Sequence, residues 1–305
     1  MDTLENENPW FIEGSSKARL VTHTPDPEKE MAYIARVTSK DQTNPKIEGL
    51  LKYCAKHGHW SVFEQSTMTL EVVTPLAIAV QLLRHASFRF QQFSGRYEDQ
   101  QFMRNYTDGL SSFKNLFYIP EEARVQDTKN RQNSIFSDNS EDSDKMYDAM
   151  STAYNVALMS YNQLLNMGVA KEIARFVLPQ GVYSRLYVTG SCRSWIHYIN
   201  VRDDEGVAQY EHCELARCAK QVFAEVFPTV HNSIEWDKSP DNELEILRKQ
   251  IEELQKENQS LRDMRDAFSL SLPAEIPSQT IISPALPDPE LGTLQKLLKK
   301  ISFQN

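Results

Sequence analysis

Cysteine is scarce in this chain of 305 residues, and its four cysteines form neither a CxxC pair nor a Cys/His cluster with the spacing of a zinc site. They also do not amount to the dense disulfide framework of a small secreted domain. We therefore expect Cys54, Cys192, Cys213 and Cys218 to be reduced thiols, in a cytoplasmic protein without a bound metal.

Long apolar runs and an excess of basic residues are also absent. No stretch approaches the ~20 apolar residues of a membrane span. The first residues, MDTLENENPWFIEG, lack the basic and apolar segments that predict a signal peptide. The 42 acidic and 33 basic side chains give a net charge of −9, which argues against a protein that coats nucleic acid. An anionic ligand would therefore have to be bound by local arginines.

Helical and strand patterns alternate from about residue 17 to 236 without the regular βαβ rhythm of a doubly wound sheet, which predicts an α+β fold. Helices are predicted at 27–37, 44–58, 75–85, 146–165, 172–178, 193–201 and 206–227, and strands at 67–74, 113–120 and 181–189. The polar segment 126–145 is predicted to be a surface insertion or loop. Helical spacing assigns one set of side chains in the long helix to the core: Met146, Met150, Ala153, Ala157, Tyr161, Leu164 and Leu165.

The composition changes after Trp236, where a heptad pattern begins. One seam position holds Leu244, Ile251 and Asn258, and the other holds Leu247, Leu254, Leu261 and Phe268. We predict a first domain over 1–237, a coiled-coil helix over 238–268, and a Pro-rich linker with a short amphipathic terminal helix over 269–305. The alternative to a coiled coil is a single charged surface helix. A coiled coil would either self-associate or recruit a different protein.

The segment 84–97, RHASFRFQQFSGRY, concentrates three arginines, one histidine and four aromatic rings in an acidic chain. A guanidinium presents a planar fork of donors that suits phosphate, and a serine next to a glycine adds a donor where the backbone approaches a ligand. We therefore expect Arg84, Ser94 and Arg96 to bind one phosphate. Solvated surface arginines and structural ion pairs are the alternative for each of them taken singly.

This segment resembles the signature of flavin-dependent thymidylate synthases, which is usually Arg-His-Arg, seven residues and Ser. Here Arg84, His85 and Ala86 precede seven residues and Ser94. Further segments match the family in the same order: ARVTS, KHGHWSVFE, YIP, EIARFVLP, RSWIHYINVR and AQYEH. The resemblance covers about residues 17 to 236.

The resemblance implies an antiparallel sheet flanked by helices and a homotetramer whose active sites are built from several subunits. It also implies methylation of dUMP to dTMP without a cysteine nucleophile. Methylenetetrahydrofolate is then the carbon donor, and FAD reduced by NADPH is the hydride donor. Nucleic acid is not expected as a partner.

Site residues follow from the same resemblance. Positions that match dUMP contacts are Gln81, Arg84, Gln92, Ser94, Gly95, Arg96, Arg175 and Arg202. Positions that match FAD contacts are Thr38, Ser61, Arg84, His85, Ala86, Gln92, Ser191, Arg193 and His197. Arg202, His85 and His59 match catalytic positions. Arg202 is expected to stabilise negative charge on the uracil, and His85 to act as a neutral contact rather than as a general base.

The sequence departs from the family signature at Ala86, where an arginine is usual. One hypothesis is that Arg89 replaces the missing charge. A second is that the chain binds nucleotide but has lost catalysis. A different class of function also stays open, namely an oligomeric scaffold that binds single-stranded nucleic acid through the basic and aromatic segment 84–97 and multimerises through the heptads. Phe88, Phe90 and Phe93 could stack on a ring, and packing in the core is the alternative for each of them.

Overall fold

The computed structural model describes residues 8–234 and 236, so the predicted coiled coil, linker and terminal helix lie outside the described residues. Its strands are β1 (Phe11–Glu13), β2 (Ser16–His23), β3 (Thr67–Pro75), β4 (Arg89–Gln92), β5 (Ser112–Phe113), β6 (Phe117–Tyr118), β7 (Arg124–Gln126), β8 (Ser134–Phe136) and β9 (Tyr183–Ser191). Five of them form one sheet in the order β1-β2-β3-β9-β4, and every pairing is antiparallel. The mixed helix and antiparallel-sheet architecture confirms the predicted α+β class.

The helices are α1 (Pro27–Ala35), α2 (Glu48–Lys56), α3 (Leu76–Leu82), α4 (Ser140–Asn166), α5 (Lys171–Ala174), α6 (Cys192–Arg202), α7 (Tyr210–Val226) and α8 (Pro228–His231). Short 3-10 helices cover Trp60–Glu64, Gln100–Tyr106 and Arg175–Val177. Gly58 follows α2 with a φ of 70° that favours glycine, so the helix predicted over 44–58 ends before this residue. Among the described residues, none of the helices is long and apolar enough to cross a membrane.

Strand β3 is central to the sheet and is covered on both faces. Met68, Leu70 and Val72 join the larger core, which also contains side chains of α6 and α7. Val73 joins a second core with Tyr154 and other side chains from α4. The intervening Glu71 is only 1% exposed, and its carboxylate accepts hydrogen bonds from Arg19 of β2 and Arg185 of β9. Two guanidiniums thus compensate the buried charge.

Several predicted elements differ from the structure. The strand predicted over 113–120 is a hairpin of β5 and β6, because Lys114 and Asn115 both have positive φ and turn the chain. The polar segment 126–145 contains part of the β7–β8 hairpin and the first turn of α4, which Asn139 caps. Strands β1, β2 and β4 were not predicted.

The predicted core stripe of α4 is shifted. Tyr161 is buried as expected, but Ala153 is exposed, and Tyr154 and Leu158 are the other buried side chains of this helix. Helix α7 is more buried than a surface helix, because it packs on β2 with one face and against α6 with another. Cys213 and Cys218 are therefore fully buried.

Candidate active site

Strand β9 runs directly into α6, and this junction positions most of the site. Ser191 caps the helix by accepting a hydrogen bond from the backbone N–H of Ser194, 3.1 Å away. On the exposed side of α6, Arg193, His197 and Asn200 follow at helical spacing. Strand β4, which lies within the arginine-rich segment 84–97, pairs with β9 along the edge opposite to β3.

Arg202 at the end of α6 meets His85 from the turn after α3. The Nε atom of Arg202 donates a hydrogen bond to Nε2 of His85 over 3.0 Å. Because Nε2 accepts, the neutral imidazole carries its proton on Nδ1. Burial, followed by the charge of Arg202, lowers the pKa of His85 to about 4. The ring is therefore a neutral acceptor at physiological pH.

His212 on α7 lies beside this pair. Its ring centroid is 6.2 Å from that of His85, and the two rings meet edge to face. Burial, and then the charge of Arg202, lowers the pKa of His212 to about 3. Its Nδ1 is 3.3 Å from Oε1 of Gln81, so this predicted dUMP ligand is already held by its own chain. Within the described part of the chain, the buried Nε2 of His212 and hydroxyl of Tyr198 have no hydrogen-bond partner.

A cavity of about 560 Å³ opens between α6 and the 3-10 helix Trp60–Glu64. Its lining consists of Trp60, Glu64, Ser87, Arg193, Ser194, Ile196, His197 and Asn200. The volume and the mixture of one indole with several hydrogen-bonding side chains are typical of a cofactor site. Two of the predicted FAD contacts, Arg193 and His197, line this cavity.

Glu64 contacts two donors at this cavity. Its carboxylate accepts a hydrogen bond from Ser191 Oγ at 2.6 Å and pairs with Arg193 at 3.2 Å. The Glu64–Arg193 pair is about half exposed, and such pairs contribute only ~0–1 kcal/mol. An incoming phosphate group can therefore replace Glu64 as the partner of Arg193 at small cost.

A smaller cavity of about 200 Å³ collects residues predicted to bind dUMP. Gln92, Gly95 and Arg175 line it together with Tyr183 and Ser184. The Gln92 side-chain amide donates to Ser184 Oγ over 3.0 Å, which fixes its orientation. A Cβ atom at Gly95 would lie 3.6 Å from Arg175 Cδ, so backbone and arginine are already close.

The remaining predicted residues lie around these two cavities or apart from them. Ser94 accepts a long hydrogen bond from the backbone N–H of Arg96, whose guanidinium pairs with Glu172 at 3.0 Å. Arg84 is exposed, and in the described residues its guanidinium makes no hydrogen bond or ion pair. The other four, Thr38, His59, Ser61 and Ala86, are exposed, and none of them lines either cavity.

Comparison with known proteins identifies the family. Residues 19–229 match the family described as thymidylate synthase complementing protein. The flavin-dependent thymidylate synthase of Synechocystis sp. is 44% identical over 212 residues, which cover 69% of this chain and 90% of the relative. The probable flavin-dependent thymidylate synthase of Paramecium bursaria Chlorella virus 1 is 39% identical over 211 residues, covering 68% and 91%. The chain belongs to this family.

A solved structure also resembles the chain. The UMP/dUMP methylase PolB of Streptomyces cacaoi, bound with 5-Br dUMP, aligns with a TM-score of 0.59 and 25% sequence identity. The alignment covers 73% of this chain and 95% of that one. The resemblance stated from the sequence is thereby confirmed at the level of the family and of the fold.

Some residues of this family member's candidate site were missed by the sequence analysis. His212 lies in the AQYEH segment that was matched to the family, but no role was given to it. Trp60, Glu64, Ser87 and Asn200 line the larger cavity without having been predicted. The helical spacing of Arg193, His197 and Asn200 was the available signal for the last of these.

Proposed function

We propose that the chain converts dUMP to dTMP, with a one-carbon unit from methylenetetrahydrofolate and a hydride from FAD that NADPH has reduced. The family membership and the flavin-dependent thymidylate synthases among the relatives support this reaction. A UMP/dUMP methylase of similar fold supports the substrate class. The observation on which the proposed chemistry rests is the 3.0 Å hydrogen bond between Arg202 and His85.

Methylation at C5 requires electron density to move onto the uracil ring, so its oxygens gain negative charge. A guanidinium has five N–H donors, and within the described residues Arg202 uses one of them, for His85. Four donors and a full positive charge are left for the pyrimidine. Because His85 holds the guanidinium in place before the substrate arrives, this stabilisation needs little reorganisation and can contribute a few kcal/mol.

The nucleotide phosphate is assigned to the smaller cavity and its rim. Gly95 lets the backbone approach the ligand, and Arg175 and Arg96 supply guanidinium groups next to it. The pair between Arg96 and Glu172 is exposed on both sides, so a phosphate competes with it at small cost.

FAD fits the larger cavity by the chemistry of its lining. Arg193 and His197 would hold the diphosphate or ring nitrogens, and Trp60 offers an aromatic face. When bound, the flavin supplies the hydride chemistry, and the protein orients it against the pyrimidine. A cysteine nucleophile is not part of the proposal, because Cys192 is fully buried and burial raises its pKa well above the usual range.

Arg89 is the proposed replacement for the arginine that Ala86 lacks. Its Nη1 donates to the backbone oxygen of Ala86 at 3.3 Å and to that of Phe88 at 3.0 Å, so its guanidinium lies at residue 86. We expect Arg89→Ala to weaken FAD binding, measured by titration of the purified apoprotein. An unchanged FAD affinity would remove this role.

We further propose that the chain works as a homotetramer in the cytoplasm. Helix α4 and the segment after it pack together and expose large apolar side chains, of which Phe176 is 76% and Met159 72% exposed. Large exposed apolar side chains are commonly covered when subunits associate, and we assign these to an association surface. Arg175 precedes Phe176, so a neighbouring subunit bound there would lie at the phosphate end of the site. Light scattering after size-exclusion chromatography measures the subunit number.

The decisive experiment is anaerobic turnover of dUMP with FAD, NADPH and methylenetetrahydrofolate each omitted in turn. Product should require all three. Arg202→Ala should lower kcat by roughly 100-fold, as for loss of one preorganised donor, whereas Arg104→Ala, at an exposed arginine outside both cavities, should not. A colourless protein that takes up no FAD and ignores dUMP would instead favour the nucleic-acid scaffold. Binding of dUMP without turnover would favour the inactive homologue.

A further inference from the structure

Glu211 is a buried carboxylate next to the site, and no catalytic or binding role has been given to it. It is 2% exposed and lies in the first turn of α7. Arg124 of β7 forms an ion pair with it, and the hydroxyl of Tyr118 donates to Oε1 over 3.1 Å. Burial alone would raise the pKa of Glu211, but the hydrogen bond and charge of Arg124 outweigh it and lower the pKa. Glu211 is therefore ionised and can only accept hydrogen bonds.

This acceptor sets the direction of a chain of hydrogen bonds. The other carboxylate oxygen of Glu211 lies 2.9 Å from the side-chain nitrogen of Gln209, which must donate. The amide oxygen of Gln209 is then left to accept from the side-chain nitrogen of Gln81 over 2.7 Å. The amide oxygen of Gln81 in turn faces Nδ1 of His212. Because an amide oxygen only accepts, Nδ1 of His212 must carry the proton.

The far end of the chain is an unusual tautomer. A neutral imidazole in water carries its proton mostly on Nε2, so the Nδ1–H form of His212 needs a cause. His212 has no exposed surface, and its bare Nε2 has no partner within the described residues. Gln209, in the middle of this series of hydrogen bonds, is exposed, so its bonds compete with water. Glu211 and His212, at the two ends of the series, are buried.

We propose that Glu211 is a positioning residue, which orients the side-chain amide of Gln81 and fixes His212 as the Nδ1–H tautomer through Gln209. If the direction of these hydrogen bonds were reversed, the amide oxygen of Gln209 would face the carboxylate of Glu211, and neither group could donate. The consequence for dUMP affinity rests on the proposed function and on the family resemblance, which matches Gln81 to a dUMP contact. The tautomer of His212 in the free protein does not depend on that assignment.

The test is solid-state ¹⁵N NMR of the full chain labelled only in histidine, because protonated and unprotonated ring nitrogens give separate signals. His212→Asn identifies the signals of His212. The side chain in Glu211→Gln can donate a hydrogen bond to Gln209, so the series of hydrogen bonds can also run in the opposite direction. The Nε2–H form of His212 should therefore appear. Gln209→Met keeps the ion pair between Arg124 and Glu211 but removes the hydrogen bonds of Gln209 to Glu211 and Gln81. Both the Nδ1–H and the Nε2–H form of His212 should then be present.

Glu214→Gln is the matched control. Glu214 lies one turn further along α7, is 7% exposed, and accepts from the backbone and hydroxyl of Ser15, outside the chain. Its substitution should leave the His212 signals unchanged. If His212 stays purely Nδ1–H in both Glu211→Gln and Gln209→Met, the proposal is wrong. Should Glu211→Gln fail to fold, Gln209→Met decides.

Steady-state kinetics separate this proposal from the proposed function. Glu211→Gln and Gln209→Met should each raise the KM for dUMP several-fold, and Glu214→Gln should not. A change of tautomer with an unchanged KM would support the positioning by Glu211 and contradict the assignment of Gln81 to the nucleotide. An unchanged tautomer in both variants, together with normal turnover of dUMP, would contradict the positioning by Glu211 and leave the proposed function supported.

Discussion

His212 should make the stability of this protein depend on pH in a way that can be calculated. In an unfolded chain a histidine titrates with a pKa of about 6.5, whereas burial lowers the folded pKa of His212 to about 3. Between these values the unfolded state binds a proton that the folded state rejects. The stabilisation is therefore complete above the unfolded pKa and is lost as the pH falls towards the folded one.

The size of the effect follows from the same numbers. Lowering the pH from about 7.5 to about 5 should cost roughly 2 kcal/mol of the free energy of unfolding through His212 alone. His85, with a pKa lowered to about 4, adds a similar loss in that range. The comparison with His212→Asn cancels the contribution of His85, because both proteins retain it. The asparagine also keeps a donor for Gln81 near the position of Nδ1.

Urea unfolding of the full chain at a fixed protein concentration measures this difference. The free energy of unfolding of the unsubstituted protein should fall by about 2 kcal/mol more than that of His212→Asn over this pH range. Above about pH 7.5 the two values should stay parallel. A difference that is constant down to about pH 5 would refute the conclusion that the folded protein holds His212 neutral.

Three substitutions test other parts of the structure. Glu71→Gln should cost roughly 3–5 kcal/mol of unfolding free energy, because it leaves two arginines around a buried site without their counter-charge; a loss below about 1 kcal/mol would contradict the geometry. Gly190→Ala places a Cβ atom 2.4 Å from the ring of Phe88, and such overpacking should cost about 1–3 kcal/mol, again by urea unfolding. Cys192→Ala should leave dUMP turnover unchanged, and loss of turnover with normal FAD binding would restore a thiol mechanism.

The helices and strands that could be predicted are those whose pattern of apolar and polar residues agrees with their burial in the fold. Strand β3 was recognised because its residues alternate as they do in a strand, and α6 was predicted over 193–201. Strand β2 was missed because it carries Lys17 and Arg19, which suggest a surface. In the fold, Lys17 is almost fully buried, and its ammonium lies 4.7 Å from the ring centroid of Trp10.

The candidate site was predicted only in part because its contacts join distant segments. His85 and Arg202 are separated by 117 positions, and Gln81 and His212 by 131. The family resemblance supplied the first pair as separate site residues, but nothing in the sequence indicated that one holds the other. Similarly, the ionised Glu211 needs Arg124 from a hairpin that looked like a polar loop.

The direct passage from β9 into α6 limits how this protein can change during evolution. An α-helix has 3.6 residues per turn, so one inserted residue at the junction would rotate everything after it by about 100°. Arg193 and His197 would then turn away from the cavity, and Arg202 would lose His85. Variation in chain length should therefore collect in places such as the β7–β8 turn, while the strand-to-helix junction keeps its length.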